Sequence, residues 1–587
     1  MWSFYRIFIF LLHVLWCKGV RVDDQWWEHA HLNQIYTRSF QDSDGNGIGD
    51  INGITSRLNH LKDISVDGVW LSPIFQSPLK DFGYDISDYR SIHPDYGTMD
   101  DFERLIAQCK ELDIKLLLDL VPNHSSDQHE WFKKSSNPKH PEYHKYKDYY
   151  IWNDGRKLAN GTRVPPSNWR SVFGGSAWKW VDSRQSFYLH QFACEQPDLN
   201  FRNSEVTNEM DEIIRFWLRK GVAGFRVDAV AYLFEGRENA DGLYDDEPMY
   251  GGQFLNNPNH HTGLSHIYTM SLKESYDLVC HFHEVIKEDE FSNLKPILMT
   301  EAYVSLENQL KYYANVRNGV IRRIGAEVPF NFRLLTKTTR YSTAVDFKVC
   351  IEEWINHMPK GEKIRPNWVL GNHDNNRLSS KYGATRSDIF NILIKTLPGI
   401  TITYYGEEIS MVDVKIPPKY VIDKLNLNLD GSIFTRDSFR TPMQWNRSVN
   451  AGFTKARKPW LPVSKYYMTF NVESQKSGKR SHLKVFQKLM DLRKHPTMKY
   501  GELKIEAINC NVLAYKREIE NVDVDVIVVI LNLGQTRETI DANASLGRLP
   551  KQMKIAISSI QFGKEGYVNT RKVTIPANVG LVLIGRK

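Results

Sequence analysis

The stretch "GVAGFRVDAV", residues 221–230, places an arginine and an aspartate two positions apart in an otherwise apolar run. Such a run predicts a buried strand, and burying a charge is costly unless the charge is paired. Because alternate residues of a strand point to one face, Arg226 and Asp228 should lie side by side. The stretch therefore indicates either a structural ion pair or a functional site at a strand end.

Seven other short apolar runs also end in polar residues. They are "QIYTRSF", "GVWLSP", "IKLLLDLVPNH", "PILMTEAY", "RIGAEVPF", "NWVLGNHD" and "ITITYYGEE". Amphipathic helical patterns such as "MDDFERLIAQCKELD" lie between most of them. Eight strands alternating with helices predict an α/β fold, a parallel (β/α)8 TIM barrel. The active site of such a barrel lies at the carboxyl ends of its strands, where these polar residues fall.

Two regions depart from this alternation. About a hundred residues separate "VPNH" from "GFRVD", too many for an ordinary connection, so we expect an inserted subdomain after strand 3. Near the carboxyl terminus, short alternating strands such as "VDVIVVILNL" predict a C-terminal β-sandwich domain. The predicted boundaries are 1–19 for a signal peptide, 20–128 and 206–495 for the barrel, 129–205 for the inserted subdomain and 496–587 for the sandwich.

The amino terminus, "MWSFYRIFIFLLHVLWCKGV", has one arginine, a short apolar run and small residues after it. This pattern predicts a secretory signal peptide, with a short signal anchor as the alternative. Glycosylation sequons at Asn160, Asn446 and Asn543 fit a secreted product, whereas Asn123 is expected to be too buried for modification. The C-terminal pattern does not predict a lipid anchor, so we expect no membrane attachment.

Charge and cysteine content exclude other classes of protein. The net charge is +7, but the basic residues are spread along the chain, so nucleic-acid binding is not expected. Five cysteines remain if Cys17 leaves with the signal peptide, and none forms a CxxC pair. An odd number at wide spacing predicts neither a disulfide scaffold nor a zinc ribbon, and at least one thiol stays free or pairs between chains.

Two carboxylates end strands in a way that suits glycoside hydrolysis. Asp228 ends "GFRVD" and Glu301 ends "ILMTE", and such chemistry needs one carboxylate as nucleophile and another as general acid. We expect Arg226 to lower the pKa of Asp228, and apolar surroundings to raise the pKa of Glu301. A purely structural pair between Arg226 and Asp228 is the alternative.

Two histidines also stand at strand ends. "NHD" at 372–374 and "DLVPNH" at 119–124 place an aspartate near a histidine, a combination that can bind sugar hydroxyls. Metal binding is the alternative, but the histidines lack HExxH spacing.

Four segments in order, "DLVPNH", "GFRVDAV", "MTEAY" and "GNHD", resemble the signature regions of the alpha-amylase superfamily, glycoside hydrolase family 13. "QPDLN" at 196–200 resembles the further region of its oligo-1,6-glucosidase branch. "NQIYTRSFQDSDGNGIGDINGI" is similar to the α-glucosidases known as insect maltases. The resemblance covers the whole mature chain, and no signature position is replaced.

The resemblance implies a role for individual residues. Asp228 is the implied nucleophile, Glu301 the acid/base, and Asp374 the transition-state stabiliser that contacts the 2- and 3-hydroxyls. An ion pair between Asp81 and Arg440 is expected to close the pocket and bind the 4-hydroxyl of a terminal sugar, which makes the enzyme exo-acting. The other implied pocket residues are Tyr84, His124, Phe173, Phe192, Arg226 and His373.

The segment "DSDGNGIGD", residues 42–50, is rich in hard oxygen donors. Such donors suit Ca²⁺, or Mg²⁺, although Gly53 stands where an EF-hand has its glutamate. The resemblance implies one structural cation here, and a glycine-rich turn without metal is the alternative. The implied ligands are Asp42, Asp44, Asn46, the Ile48 carbonyl and Asp50.

The sequence thus predicts a secreted, retaining α-glucosidase that releases glucose from maltose, short malto-oligosaccharides and sucrose. We expect a monomer or homodimer. Rival functions are a sucrose isomerase or transglucosidase, and a non-catalytic binding or receptor protein such as the transporter heavy chains of the same fold. In related enzymes, Val directly after the nucleophile accompanies α-1,6 cleavage, so Ala229 predicts a preference for maltose and sucrose over isomaltose.

Overall fold

The computed structural model describes residues 25–250, 260–427 and 433–586. The predicted signal peptide, 1–19, lies outside the described residues. Within them, no helix combines the length and the apolar character needed to cross a bilayer. All five cysteines in this part of the chain are free.

Each of the eight predicted runs forms a strand of one parallel sheet, as the sequence predicts for a barrel. The strands are β1 (His31–Ile35), β2 (Gly68–Leu71), β3 (Lys115–Leu120), β4 (Gly224–Val227), β5 (Ile297–Thr300), β6 (Val328–Pro329), β7 (Asn367–Trp368) and β8 (Ile400–Tyr404). Hydrogen-bonded neighbours follow the chain from β1 to β6, and β8 joins β1 to β7. Every polar strand end therefore lies on the same side of the sheet.

The side chain of Asn367 joins β6 to β7, between which the described residues form no backbone ladder. Its Nδ2 donates to the Pro329 carbonyl at 2.6 Å, and its Oδ1 accepts from the Asn331 N–H at 2.8 Å. A fully buried amide side chain thus satisfies backbone groups that a ladder would otherwise pair.

Seven longer helices surround the sheet: α1 (Ile51–Asp63), α2 (Met99–Glu111), α3 (Ser204–Arg219), α4 (Lys273–Ile286), α5 (Ala344–His357), α6 (Ser387–Thr396) and α7 (His482–Arg493). A capping box between Thr98 and Asp101 begins α2, which buries Phe102 and Leu105 against the barrel. Between β5 and β6, a short helix and the hairpin 314–324 replace a long helix.

Shorter elements complete the barrel and its loops. The short α-helices are Thr37–Phe40, Glu130–Ser135, Tyr143–Tyr146, Leu306–Leu310, Arg333–Lys337, Leu378–Tyr382, Val472–Ser477, Pro496–Tyr500 and Ala542–Leu546. The short strand pairs are Phe75–Gln76 with Asp88–Ile92, Arg156–Lys157 with Arg163–Val164, Ala314–Arg317 with Val320–Ile324, and Asn426–Leu427 with Ile433–Phe434.

The long connection between β3 and β4 has its own sheet, formed by Trp152–Asn153, Trp178–Val181 and Ser186–Leu189. Its aromatic core includes stacked Trp169 and Trp178, whose ring centroids lie 5.6 Å apart. An antiparallel bridge between His124 and Asp198 ties this connection back to the end of β3. The connection therefore stands beside the carboxyl ends of the barrel strands.

The C-terminal region is a six-stranded antiparallel sheet, as the sequence predicts for this domain. Its strands, in spatial order, are β9 (Glu502–Ala507), β10 (Val512–Glu518), β11 (Val526–Asn532), β16 (Val579–Gly585), β13 (Gln552–Ser558) and β14 (Tyr567–Asn569). A smaller pair, β12 (Glu538–Ile540) with β15 (Val573–Ile575), forms the second layer.

Alternation along β11 explains how this sheet is covered on both faces. Val528 and Ile530 pack with the residues of β12 and β15, whereas Ile527 and Val529 pack in the cluster that contains helix α6. The sheet is thus fixed against the barrel through one face.

Candidate active site

A cavity of about 260 Å³ lies at the carboxyl ends of the barrel strands. It brings together most of the residues that the resemblance implied, from the barrel and from the long connection after β3. Those in its lining are Asp81, Tyr84, His124, Phe173, Phe192, Asp228, Glu301, His373 and Asp374. Two implied pocket residues, Arg226 and Arg440, lie behind this lining and contact it.

The arginine of the stretch 221–230 contacts three carboxylates. Arg226 is buried, and its Nη1 donates to Asp228 and, at 2.9 Å, to Asp119, its register partner on β3. Its Nη2 lies 3.8 Å from Glu301 Oε2. The ion pair between Arg226 and Asp228 is therefore real, but it is part of the cavity wall and not an isolated structural pair.

Burial affects the pKa of Asp228 and of Glu301 more strongly than the nearby Arg226 does. Burial raises the pKa of Asp228 to about 7, while Arg226 lowers it and the nearby Glu301 raises it. The predicted lowering by Arg226 is thus confirmed, but desolvation exceeds the attraction of the guanidinium, so the pKa of Asp228 is raised overall. For Glu301 the predicted direction is confirmed, since burial raises its pKa against the pull of Arg226.

Asp374 lies in a different electrostatic environment. Its Oδ1 accepts from Arg440 Nη2 at 2.8 Å and Arg436 Nη1 at 3.3 Å, and its Oδ2 lies 3.2 Å from His373 Nε2. Burial alone would raise the pKa of Asp374, but His373, Arg440 and Arg436 together bring it well below its usual range. Asp374 therefore stays ionised under conditions in which Asp228 and Glu301 bind protons more readily.

The expected pairing of Asp81 with Arg440 is wrong. Asp81 Oδ1 instead accepts from Arg436 Nη2 at 2.7 Å, and Arg436 lines the cavity. Arg440 is fully buried behind it and donates to Asp374 and, from Nε at 2.7 Å, to the His373 carbonyl. Asp423 holds Arg436 in place, because its Oδ2 accepts a hydrogen bond from Arg436 Nε at 2.6 Å.

The physical reason for this exchange is a short 3₁₀ turn, Asp437–Phe439, between the two arginines. Arg436 precedes the turn and extends into the cavity, whereas Arg440 follows it and reaches Asp374 from outside the lining. In "TRDSFRTPMQW" both arginines are present, but spacing alone does not distinguish which one meets Asp81.

A chain of hydrogen bonds positions His373 and Tyr84. Gln34 Nε2 donates to His373 Nδ1 at 2.8 Å, which leaves the ring proton on Nε2, 2.7 Å from the Tyr84 hydroxyl. Tyr84 donates in turn to Asp119 Oδ2 at 3.0 Å. Burial lowers the pKa of His373 well below its usual value, so the ring is neutral and donates to the oxygen atoms in front of it.

Several residues of the cavity were not predicted. Gln196 Nε2 lies 3.3 Å from Asp81 Oδ2 and 3.1 Å from His124 Nε2. Its signal was present in "QPDLN", which the resemblance used only as a marker of the branch. Gln196 lies behind the lining, and the unpredicted residues that line the cavity with large side chains are Tyr232, Tyr303, Phe434 and Arg436.

Aromatic rings form the wall that the long connection contributes. Phe192 lies 5.0 Å from His124 and 5.1 Å from Tyr232, between ring centroids, and 6.0 Å from Phe173. Arg436 stands over Phe173 at 5.7 Å. Such a wall gives the apolar faces of a sugar ring a surface to pack on.

The residue after Asp228 has an unusual backbone. Ala229 has φ 49° and begins a 3₁₀ turn, and its N–H donates to Glu301 Oε2 at 2.9 Å. The chain thus turns away from the sheet there, and Ala229 lines the cavity. A left-handed conformation is strained for a β-branched residue.

The predicted metal loop brings its three carboxylates together. Asp42, Asp44 and Asp50 each offer an oxygen within 4.8 Å of the others. Asn46 Oδ1 accepts from the Ile48 N–H at 2.7 Å, which holds the loop in a tight turn. An all-oxygen donor set of this kind fits Ca²⁺ or Mg²⁺.

Comparison with known proteins agrees with this geometry. The alpha amylase catalytic domain matches residues 34–501, and the chain belongs to the alpha-amylase family. It is 46% identical to a salivary alpha-glucosidase of Anopheles gambiae over 95% of this chain and 93% of that one. It is 47% identical to Maltase A1 of Drosophila melanogaster, over 95% and 96% of the two chains. The crystal structure of an alpha-glucosyl transfer enzyme has a TM-score of 0.81 at 29% identity, covering 96% of this chain and 100% of that one.

Proposed function

We propose that this chain is a retaining, exo-acting α-glucosidase that hydrolyses terminal α-1,4-linked glucose from maltose, short malto-oligosaccharides and sucrose. The observation that carries the proposal is one small cavity in which Asp228, Glu301 and Asp374 meet and in which the Asp81–Arg436 pair lies. The alpha-glucosidase and maltase relatives, similar over nearly their whole length, support the same activity.

Asp228 and Glu301 are the proposed reacting pair. Arg226 donates directly to Asp228 but stays 3.8 Å from Glu301, so it favours the charged form of Asp228 more than that of Glu301. Asp228 attacks the anomeric carbon while Glu301 protonates the leaving oxygen, which gives a covalent glucosyl ester. Glu301 then takes a proton from water, which attacks the ester and releases glucose with retained configuration.

Asp374 is the proposed transition-state stabiliser. Because Arg436, Arg440 and His373 keep it ionised, it can accept hydrogen bonds from two adjacent hydroxyls of the bound glucose. Its fixed negative charge also favours the positive charge that develops on the sugar ring.

The Asp81–Arg436 pair supports exo action. Both residues are buried, and the pair offers a charged acceptor and donor to the hydroxyls of a terminal sugar. A volume of about 260 Å³ is below the roughly 300 Å³ at which pockets for larger ligands begin, which suits one sugar ring.

The test is the anomeric form of the first product together with a substrate panel. Proton NMR during maltose hydrolysis should show α-glucose first, and Asp228→Asn should lose activity by several orders of magnitude while its melting curve changes little. β-Glucose as first product, or carboxyl groups about 6.5–9.5 Å apart in a crystal structure, would contradict the retaining mechanism.

Glucosyl transfer is the second candidate, because a solved structure of a glucosyl transfer enzyme shares this fold over 96% of the chain. Incubation with sucrose, followed by product chromatography, separates the candidates. Glucose and fructose indicate hydrolysis, an isomeric disaccharide indicates transfer, and unchanged sucrose and maltose indicate a non-catalytic binding protein.

A structural cation is proposed at the loop 42–50, with Ca²⁺ favoured and Mg²⁺ as the alternative. The convergence of three carboxylate oxygens supports it, and the cation would neutralise their mutual repulsion. The proposed ligands are Asp42, Asp44, Asn46, the Ile48 carbonyl and Asp50.

Secretion and glycosylation are proposed from the amino-terminal pattern and the sequons. Asn160 is exposed, Asn446 and Asn543 are half-buried, and Asn123 is buried and donates to Asp198. Glycosidase treatment of protein from the culture medium should therefore lower its mass. Among variants of the three sequons, Asn160→Gln should reduce this mass difference the most. A monomer or homodimer is expected, which light scattering can decide.

A further inference from the structure

A second groove, of about 500 Å³, shares no lining residue with the active-site cavity. It lies between helix α7 and the strands β13 and β16 of the C-terminal sheet. Six cationic side chains line it: four lie within the stretch 479–488, and folding adds one from β13 and one from the loop that follows β13. They are Lys479, Arg480, Lys484, Lys488, Lys554 and Lys564.

The positive charge of the groove is not neutralised by the protein. Among the described residues, none of the six cations forms an ion pair, and Glu565 is the one acidic residue in the lining. Arg480 and Lys484 donate to the backbone carbonyls of Ile560 and Gly478, which leaves their charges uncompensated.

The groove has a defined wall and floor. Gly563 has φ 62°, and a Cβ at this position would lie 1.9 Å from Arg480 Nη1, so the arginine packs directly against the loop backbone. Val485, Ile555 and Ile557 are buried beneath the cations. Lys484 and Lys488 lie one helical turn apart, about 6 Å along α7. The result is a concave surface with an apolar floor and a cationic rim.

We propose that this basic groove binds a sulfated polysaccharide chain. Charge complementarity favours a polyanion, and a linear chain can follow cations that come from a helix, a strand and two loops. Its lining contains no aromatic ring on which the bases of a single-stranded nucleic acid could stack. Its apolar residues form the floor and not the rim, unlike a surface that inserts into a membrane. The proposal does not rest on the glucosidase activity.

The experiment measures binding of the full-length protein to a size-defined heparin oligosaccharide. The test variant is Lys484→Gln, Lys488→Gln and Lys554→Gln together. We expect its Kd to rise roughly tenfold or more, since each lysine near an anionic partner contributes appreciably. Hydrolysis of maltose should stay unchanged, which shows that the variant is folded.

A matched variant controls for net charge. Lys139, Lys157 and Lys572 are exposed lysines outside the groove, and their joint replacement by Gln removes the same charge. This control should bind the oligosaccharide like the unmodified protein. Desulfated heparin should bind neither the unmodified protein nor either triple variant.

Three results would overturn the proposal. One is an equal loss of heparin binding in both triple variants, which would indicate attraction by net charge alone. Another is binding of single-stranded DNA, or of vesicles with anionic lipids, that is as tight as heparin binding and equally dependent on the groove lysines. The third is an unmodified protein that does not bind heparin at physiological salt.

Discussion

The exchange of Arg440 for Arg436 as the partner of Asp81 leads to a quantitative prediction. Asp81 and Arg436 are both buried, and their side chains form one short ion pair beside the proposed glucose subsite. Replacing Arg436 by Gln leaves Asp81 buried without its cation. Burial already raises the pKa of Asp81 and Arg436 lowers it, so the variant should protonate this carboxyl at a higher pH.

The magnitude follows from the hydrogen bonds that the substrate would lose. A hydrogen bond to a charged group contributes about 1.5–3 kcal/mol, so losing one should lower kcat/KM for maltose by about 10- to 150-fold. The loss should grow as the pH falls, because more Asp81 becomes neutral. Breaking the buried pair should also reduce stability by about 3–5 kcal/mol, so activity is compared per folded molecule.

A double-mutant cycle decides between the two arginines. We expect a coupling energy of about 1–3 kcal/mol between Asp81→Asn and Arg436→Gln, because these side chains are in contact. Asp81→Asn and Arg440→Gln should couple more weakly, because Arg440 acts on Asp81 without a direct contact, although Arg440→Gln alone should lower kcat through Asp374. If Asp81 couples more strongly to Arg440 than to Arg436, the pairing described for this cavity is wrong.

Three further predictions concern stability and specificity. Chelation should lower the melting temperature more than the activity per folded molecule, and an unchanged melting curve in excess chelator, with no metal by elemental analysis, would refute the cation. Although Glu327 is buried, His283 and Lys287 lower its pKa to about 2. This value lies below the unfolded pKa of about 4.3, so the ionised carboxylate stabilises the folded state by roughly 3 kcal/mol. That stabilisation should be present above pH 4.3 and lost as the pH falls towards 2. Urea unfolding of Glu327→Gln should therefore show a deficit at pH 7 that shrinks below pH 4, and a constant deficit would contradict the linkage. Ala229→Val should shift the ratio of maltose to isomaltose hydrolysis towards isomaltose and lower stability by about 1–3 kcal/mol through its positive φ; an unmoved ratio would refute the specificity role.

The barrel could be predicted because its signal repeats. Each of the eight runs combines apolar residues with a polar end, and the period of strand and helix leaves few alternative arrangements. The hairpin 314–324 in place of a helix, and the side-chain closure by Asn367, could not be predicted in this way. The hairpin interrupts the repeating pattern of strand and helix, and the closure depends on one side-chain contact between segments that lie 38 residues apart.

Most residues of the site could be predicted from the sequence, but their pKa values and ion-pair partners could be predicted less well. The strand-end motifs indicated the carboxylates, but the pKa of Asp228 depends on how deeply the finished cavity buries it. The partner of Asp81 depends on a 3₁₀ turn between two arginines that the sequence presents alike. The basic groove illustrates the same limit, since Lys554 and Lys564 join the four cations of the stretch 479–488 only in the folded protein.

The charges around the cavity also bear on catalysis. Six carboxylates share three guanidinium groups; they are Asp81, Asp119, Asp228, Glu301, Asp374 and Asp423. Burial raises the pKa of Asp119 to about 7, as it does for Asp228, so protons are shared within the cluster around Arg226. Asp374, held by the other two arginines, stays ionised. In the proposed mechanism Asp228 loses its charge when it forms the ester, and Asp374 is then the carboxylate best placed to oppose the positive charge that returns to the sugar as water attacks. Separate arginines thus let one carboxylate react while another remains charged through both steps.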